Sequence, residues 1–95
     1  MASDAENSYG WRKRFALVAE TIDELAPARI LDIGCGTGAG LTVPLAHAYP
    51  GIEFLGVDSD TLSIRQAQQS SCPPNLRFSD EQPVPERQFD LVIAS

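Results

Sequence analysis

The sequence predicts an α/β fold in which an open parallel sheet is preceded by an N-terminal helix. Three observations carry this expectation. Apolar runs rich in β-branched residues recur with helical segments between them, a stretch with glycine at every second position follows the first run, and proline-containing pairs close the later helical segments. Ninety-five residues suffice for one small domain, although so short a chain removes a smaller fraction of its surface from water than a full-sized α/β domain does.

Residues 1–7 are small and polar and are expected to form a flexible N-terminus, leaving residues 8–95 as the domain. Trp11, Phe15, Val18, Ile22 and Leu25 then recur at steps of four and three, one stripe of an amphipathic helix that faces the core. Asn7 or Ser8 can cap its start and Pro27 ends it. ARILDI follows without clean alternation, the pattern of a strand buried on both faces. Leu41 to Tyr49 reads as a short helix that tolerates Pro44 only near its first turn, where backbone N–H groups have no intrahelical partner. Pro50-Gly51 stops it. IEFLGVD is a second strand, TLSIRQAQQ a helix, Pro73-Pro74 a break, and NLRF a short third strand. SDEQPVPERQ is a loop with at most one helical turn, and FDLVIA is the fourth strand. LVIA is apolar on both faces, so it belongs in the middle of a sheet. Its outer edge is therefore expected to be covered by missing chain or by a partner.

Composition narrows the function classes. Thirteen acidic residues against seven basic ones give a net charge of −6, which repels a phosphate backbone and argues against nonspecific nucleic-acid binding. Arg12-Lys13-Arg14 reads as a solvated helix face. No apolar run approaches the roughly 20 residues of a membrane-spanning helix, and MASDAENSYGW has neither part of a secretory signal, so a cytoplasmic location is expected. Cys35 and Cys72 have neither a CxxC spacing nor a nearby histidine pair, which suggests reduced thiols with no metal site.

The chemistry concentrates in ILDIGCGTGAG, residues 30–40. A glycine turn between a parallel strand and a helix lets backbone approach a ligand closely. Two cofactor classes use this device. A dinucleotide fingerprint can be fitted through Gly34, Gly36 and Ala39, with Asp58 about 20 positions on as the ribose acceptor. The whole run, with Asp32 two residues before the first glycine and glycine at Gly34, Gly36 and Gly38, resembles instead motif I of class I S-adenosylmethionine-dependent methyltransferases. GVDSD at 56–60 looks like that family's acidic motif after the second strand, and FDLVIAS at 89–95 like its fourth-strand motif. The three occur in the family's order and close to its spacing.

The resemblance implies a Rossmann-like open sheet, with four strands of a larger doubly wound one, and S-adenosylmethionine as cofactor. It further implies that Asp32, near the ammonium group, and the backbone of Gly34, Cys35, Gly36, Thr37 and Gly38 surround the methionine part. Asp58 would accept from both ribose hydroxyls, with Ser59 and Leu62 beside the adenine and Asp80 at its amino group. S-adenosylmethionine has no pyrophosphate, so Asp32 suits it better than it suits a dinucleotide. The implied function is methyl transfer to an acceptor that the sequence does not identify, and no general base can be named. A fragment of an NAD-dependent oxidoreductase and a noncatalytic module of the same fold remain as alternatives. So does a fragment that is inactive alone. His47 reads as a surface or structural histidine, Cys35 as a small turn residue whose thiol a helix N-terminus could acidify, and Asp90 as structural, since ligands of such sheets bind at the opposite strand ends.

Overall fold

A computed structural model of the chain describes residues 4–94, with side chains from residue 12 onward. The elements run α1 (Asp4–Leu25), β1 (Arg29–Ile33), α2 (Thr42–Ala48), β2 (Glu53–Val57), α3 (Thr61–Gln69), β3 (Leu76–Ser79) and β4 (Leu91–Ala94). A single 3-10 turn, Glu86–Gln88, interrupts the loop before β4. All strand pairs are parallel, in the order β3-β2-β1-β4. Among the described residues no helix is long and apolar enough to cross a membrane.

The main core cluster lies on one face of the sheet, while Leu31 and Val57 are buried on the other. Ile30, Phe54 and Leu76 stand in register across β1, β2 and β3 and pack with Ile22 of α1, Leu45 and Ala46 of α2, and Ile64 and Ala67 of α3. Ile30 and Leu45 are fully enclosed, and burying a side chain of that size is worth about 1.5–3 kcal/mol. Phe15, Val18 and Ile22 of the α1 stripe face this cluster as the spacing requires.

Two expectations for α1 change. Among the described residues the helix runs from Asp4, ahead of the proposed caps Asn7 and Ser8. Residues 1–3 and the side chain of Trp11 lie outside the described residues. Leu25 is 58% exposed instead of buried, because it is the last helical residue and the chain turns away at once through Ala26, at φ +47.

β4 also departs from expectation. It pairs with β1 alone among the described strands, and its residues alternate between half-buried Leu91 and Ile93 and exposed Val92 and Ala94. Only its Leu91 and Ile93 side packs against the core cluster, so an apolar strand expected to be buried on both faces is half-buried on one.

Polar staples fix the ends of the elements away from the glycine loop. The Asn75 amide nitrogen donates to the carbonyls of Ala46, Tyr49 and Ile52 at 3.1, 3.0 and 2.8 Å, tying the C-terminal end of α2 to the turn before β2. Asp90 Oδ2 accepts from the amides of Ala28 and Arg29 at 2.8 and 3.1 Å, tying the start of β4 to the start of β1. Asp90 therefore stands at the N-terminal strand ends, in the structural role expected of it.

Candidate functional site

Register brings the C-terminal tips of the strands level, since Ile33 stands beside Val57 and Ala94, and Val57 beside Ser79. The chain leaves β1 at Gly34, and the amides of Gly34 and Cys35 both donate to the Val57 carbonyl, at 2.8 and 3.1 Å, which folds the glycine loop across the tip of β2. The loop closes on α2 when Gly38 N donates to Cys35 O and Val43 N donates to Gly38 O.

Two loop glycines are required for different reasons. Gly36 has φ +60, and a Cβ there would meet nothing within 4 Å, so the loop is open to close approach at that point. Gly38 has φ +78, and its Cβ would lie 2.5 Å from the Phe78 ring. That ring, only 8% exposed, is the floor on which the loop rests.

Asp58 is bonded directly to the loop. Its Oδ2 accepts from Gly36 N at 2.8 Å and its Oδ1 from Asp60 N at 2.9 Å. These two amides, Asp60 first, hold its carboxyl below the usual carboxylate range against the opposing effect of burial. α3 does not need Asp58 as its cap, because Asp60 Oδ1 accepts from the amides of Leu62 and Ser63. Asp58 is left as an ionised acceptor at the mouth of the loop.

Asp32 sits elsewhere than the resemblance alone suggests. It is 1% exposed, and its Oδ2 accepts from Thr42 Oγ1 at 2.6 Å beneath the loop. The carboxylate faces α2 on the core side of the sheet instead of lying open at the surface. Cys35 comes between the two acids, and burial first, then the charges of Asp32 and Asp58, push its thiol up to about 12. The acidified thiol that a helix N-terminus could have produced is therefore not formed. Ser59, Thr37 and Asp80 are exposed, Asp80 directly after β3 as Asp58 follows β2. Leu62 is 72% exposed on the first turn of α3. His47 is exposed on α2, away from the strand tips.

Sequence reasoning missed Thr42 and Phe78. Thr42 was legible only as a residue near the start of the helix read from Leu41 to Tyr49 and Phe78 only as part of the short strand NLRF, signals that carry no site. One hollow, of about 820 Å³, runs from Thr37 and Ala39 of the glycine loop between α2 and α3 past His47 and Gln66. Another, of about 580 Å³, lies at the N-terminal strand ends around Arg29, Arg77 and Phe89. Neither is lined by Asp58.

An acidic side chain bonded across a glycine loop at the tips of parallel strands fits the motif pattern found in the sequence, and residues 30–95 match the family model described as "Methyltransferase domain". The chain belongs to that family. Its fold is the N-terminal, cofactor-binding part of the class I S-adenosylmethionine-dependent methyltransferase fold. It is 40% identical to the trans-aconitate 2-methyltransferase of Deinococcus radiodurans over 57 residues, 60% of this chain and 21% of that one. It is 44% identical to the secondary metabolism regulator LAE1 of Cochliobolus heterostrophus over 50 residues, 53% of this chain and 14% of that one. Among solved structures, a TehB-like SAM-dependent methyltransferase from Corynebacterium glutamicum is similar at a TM-score of 0.59 and 30% identity, over 98% of this chain and 56% of that one. PKMT2 from Rickettsia typhi, in complex with AdoHcy, is similar at 0.61 and 27% identity, over 70% and 14%. The chain thus spans about a fifth or less of the curated relatives it matches.

Proposed function

We propose that this chain supplies the cofactor-binding part of an S-adenosylmethionine-dependent methyltransferase. The observation that carries the reading is the Asp58 carboxylate, ionised, fixed through both oxygens to backbone amides and set beside the open Gly36. Each carboxylate oxygen has a further lone pair for a ribose hydroxyl. The residues present fit the cofactor. Gly36 admits close approach, Leu62 offers an exposed apolar side chain beside Asp58 and Ser59, and Asp80 stands at the neighbouring strand tip.

When bound, S-adenosylmethionine would supply an electrophilic methyl carbon for in-line attack by an acceptor N, O, C or S atom, its sulfur leaving with the C–S electron pair as S-adenosylhomocysteine. The chain's contribution is positioning. Asp58 orients the ribose, and the amides of Gly34 and Cys35, already bonded to Val57, keep the loop from shifting. Asp32 acts by its charge from beneath the loop. No side chain here is assigned as a general base, and the acceptor is chosen by residues beyond those described. The exposed Val92 and Ala94 of β4 are covered in the whole protein by further chain or a partner, as a two-sided apolar strand requires. A cytoplasmic setting goes with this reading and rests on the two free thiols, Cys35 and Cys72.

Calorimetric titration of the chain with S-adenosylhomocysteine and with NAD tests the assignment. The first is expected to bind. Binding of NAD with no signal from S-adenosylhomocysteine would overturn it in favour of an oxidoreductase.

A further inference from the structure

Two polar side chains are fully buried among the described residues, Asp32 and Thr42, each 1% exposed. They are bonded to each other. At 2.6 Å the Thr42 Oγ1 to Asp32 Oδ2 contact has the length of a hydroxyl donating to a charged oxygen. Burying a carboxylate is costly unless donors meet it, so a β1 acid turned toward the core needs a partner on the element that covers it. Thr42, the first residue of α2, is one such partner.

Thr42 also lies next to the loop. Its Cβ is 3.6 Å from where a Cβ at Gly38 would stand, and the amide of the next residue, Val43, donates to the Gly38 carbonyl. One small side chain therefore meets both the buried charge and the glycine loop above it. A valine would fill the same space, but it would leave Asp32 without this donor.

We propose that Thr42 is a positioning residue for the amino-acid end of the cofactor, its hydroxyl holding the Asp32 carboxylate at one place beneath the loop. The proposal rests on the cofactor reading above and adds a residue and a division of labour to it. Asp58 serves the adenosine end from the tip of β2, and the Thr42–Asp32 pair serves the ammonium end from below. Asp32, buried and bonded to Thr42, would work by charge, so its effect depends on where the carboxylate is held. A carboxylate free to rotate away would present a weaker field to the ammonium group.

The test separates the two ends with two ligands. S-adenosylhomocysteine carries both the adenosine and the amino-acid parts, whereas 5′-methylthioadenosine carries the adenosine part alone. By titration calorimetry, Thr42→Val is expected to weaken S-adenosylhomocysteine about tenfold, within the range for a lost hydrogen bond to a charged group. Methylthioadenosine affinity should be unchanged, and Thr42→Ser, which keeps the hydroxyl, should restore the first ligand. Equal weakening of both ligands would reduce Thr42 to a support of the whole loop and overturn the proposal, as would no weakening of either. The wild-type chain gives a second measurement if Thr42→Val does not fold. The Thr42 methyl and Asp32 carboxyl carbon resonances should shift with S-adenosylhomocysteine and not with methylthioadenosine, and equal shifts with both would refute the idea. A wild-type chain that binds no S-adenosylhomocysteine overturns the cofactor reading itself, a failure visible before any variant is made.

Discussion

Alanine substitutions at three glycines separate backbone strain from crowding. At Gly38 the added Cβ would lie 2.5 Å from Phe78 Cζ and 2.7 Å from Cε1, at a φ of +78. The left-handed conformation costs a non-glycine residue about 1–2 kcal/mol, and overpacking a filled core costs about 1–3 kcal/mol. Gly38→Ala should therefore destabilise by about 2–5 kcal/mol, which would leave a domain of this size little reserve. The ring has little room to retreat, because a Cβ at Gly56 would also meet it at 2.9 Å. Gly36 shares the strain, with φ +60, but has open space, so Gly36→Ala should cost only the backbone share, about 1–2 kcal/mol. Gly51 has open space and no left-handed φ, so Gly51→Ala should be neutral or stabilising by about 0.4–1 kcal/mol. Urea unfolding followed by circular dichroism gives the three values. Replacing Phe78 by leucine in the Gly38→Ala background should return part of the loss, since it removes the crowding and leaves the strain. If Gly38→Ala costs no more than Gly36→Ala, the ring does not support the loop and the account of its geometry fails.

Asp58→Ala should weaken S-adenosylhomocysteine binding about 10- to 150-fold, the equivalent of about 1.5–3 kcal/mol for hydrogen bonds to a charged acceptor, with little change in the circular dichroism spectrum. Affinity equal to wild type would refute the ribose assignment. Because the Asp58 carboxyl is held below its ordinary 3.8 by the amides of Asp60 and Gly36, its stabilising bonds are fully present above that value and are lost as pH falls through the depressed one. Cofactor affinity should accordingly show no titration attributable to Asp58 between neutrality and 3.8, and a midpoint that Asp58→Asn abolishes in that interval would contradict the bonding seen here. With its thiol pushed up to about 12, Cys35 should be alkylated by iodoacetamide at pH 8 far more slowly than a free cysteine. At that pH roughly one thiol in ten thousand is ionised, and the thiolate is the nucleophile. Rapid labelling of Cys35, located by peptide mass spectrometry, would show that the loop does not shield it.

Local signals placed most elements. The α3 segment TLSIRQAQQ matches the helix Thr61–Gln69, because Asp60 caps one end and the Pro73-Pro74 break follows the other. Pro44 lies inside α2 without breaking it because it falls in the first turn, where its missing N–H is not needed. The exposure of Leu25 and the one-sided burial of β4 were not legible, since both depend on what stands beside an element and not on its own pattern. The site divided in the same way. Gly36, Asp58 and their joint position follow from a strand, a turn and an acid at known offsets. Whether an acid on β1 points into solvent or under the loop depends on strand parity relative to the helices, and on a threonine ten residues later that no local rule connects to it. Phe78 met the loop only after β3 had paired with β2.

That parity also bears on which ligand the loop accepts. Asp58 alone does not discriminate, because an acid at the end of the second strand suits the ribose of a dinucleotide as well as that of S-adenosylmethionine. On the proposed cofactor reading, Asp32 is the residue that does. A charge held beneath the loop is less screened by salt than one at the surface, and its sign favours an ammonium group over a pyrophosphate. A surface carboxylate could also swing aside, whereas this one is buried and bonded to Thr42. Burial, which keeps Asp32 out of direct contact with a ligand above the loop, is on that reading what gives its charge a consequence for selectivity.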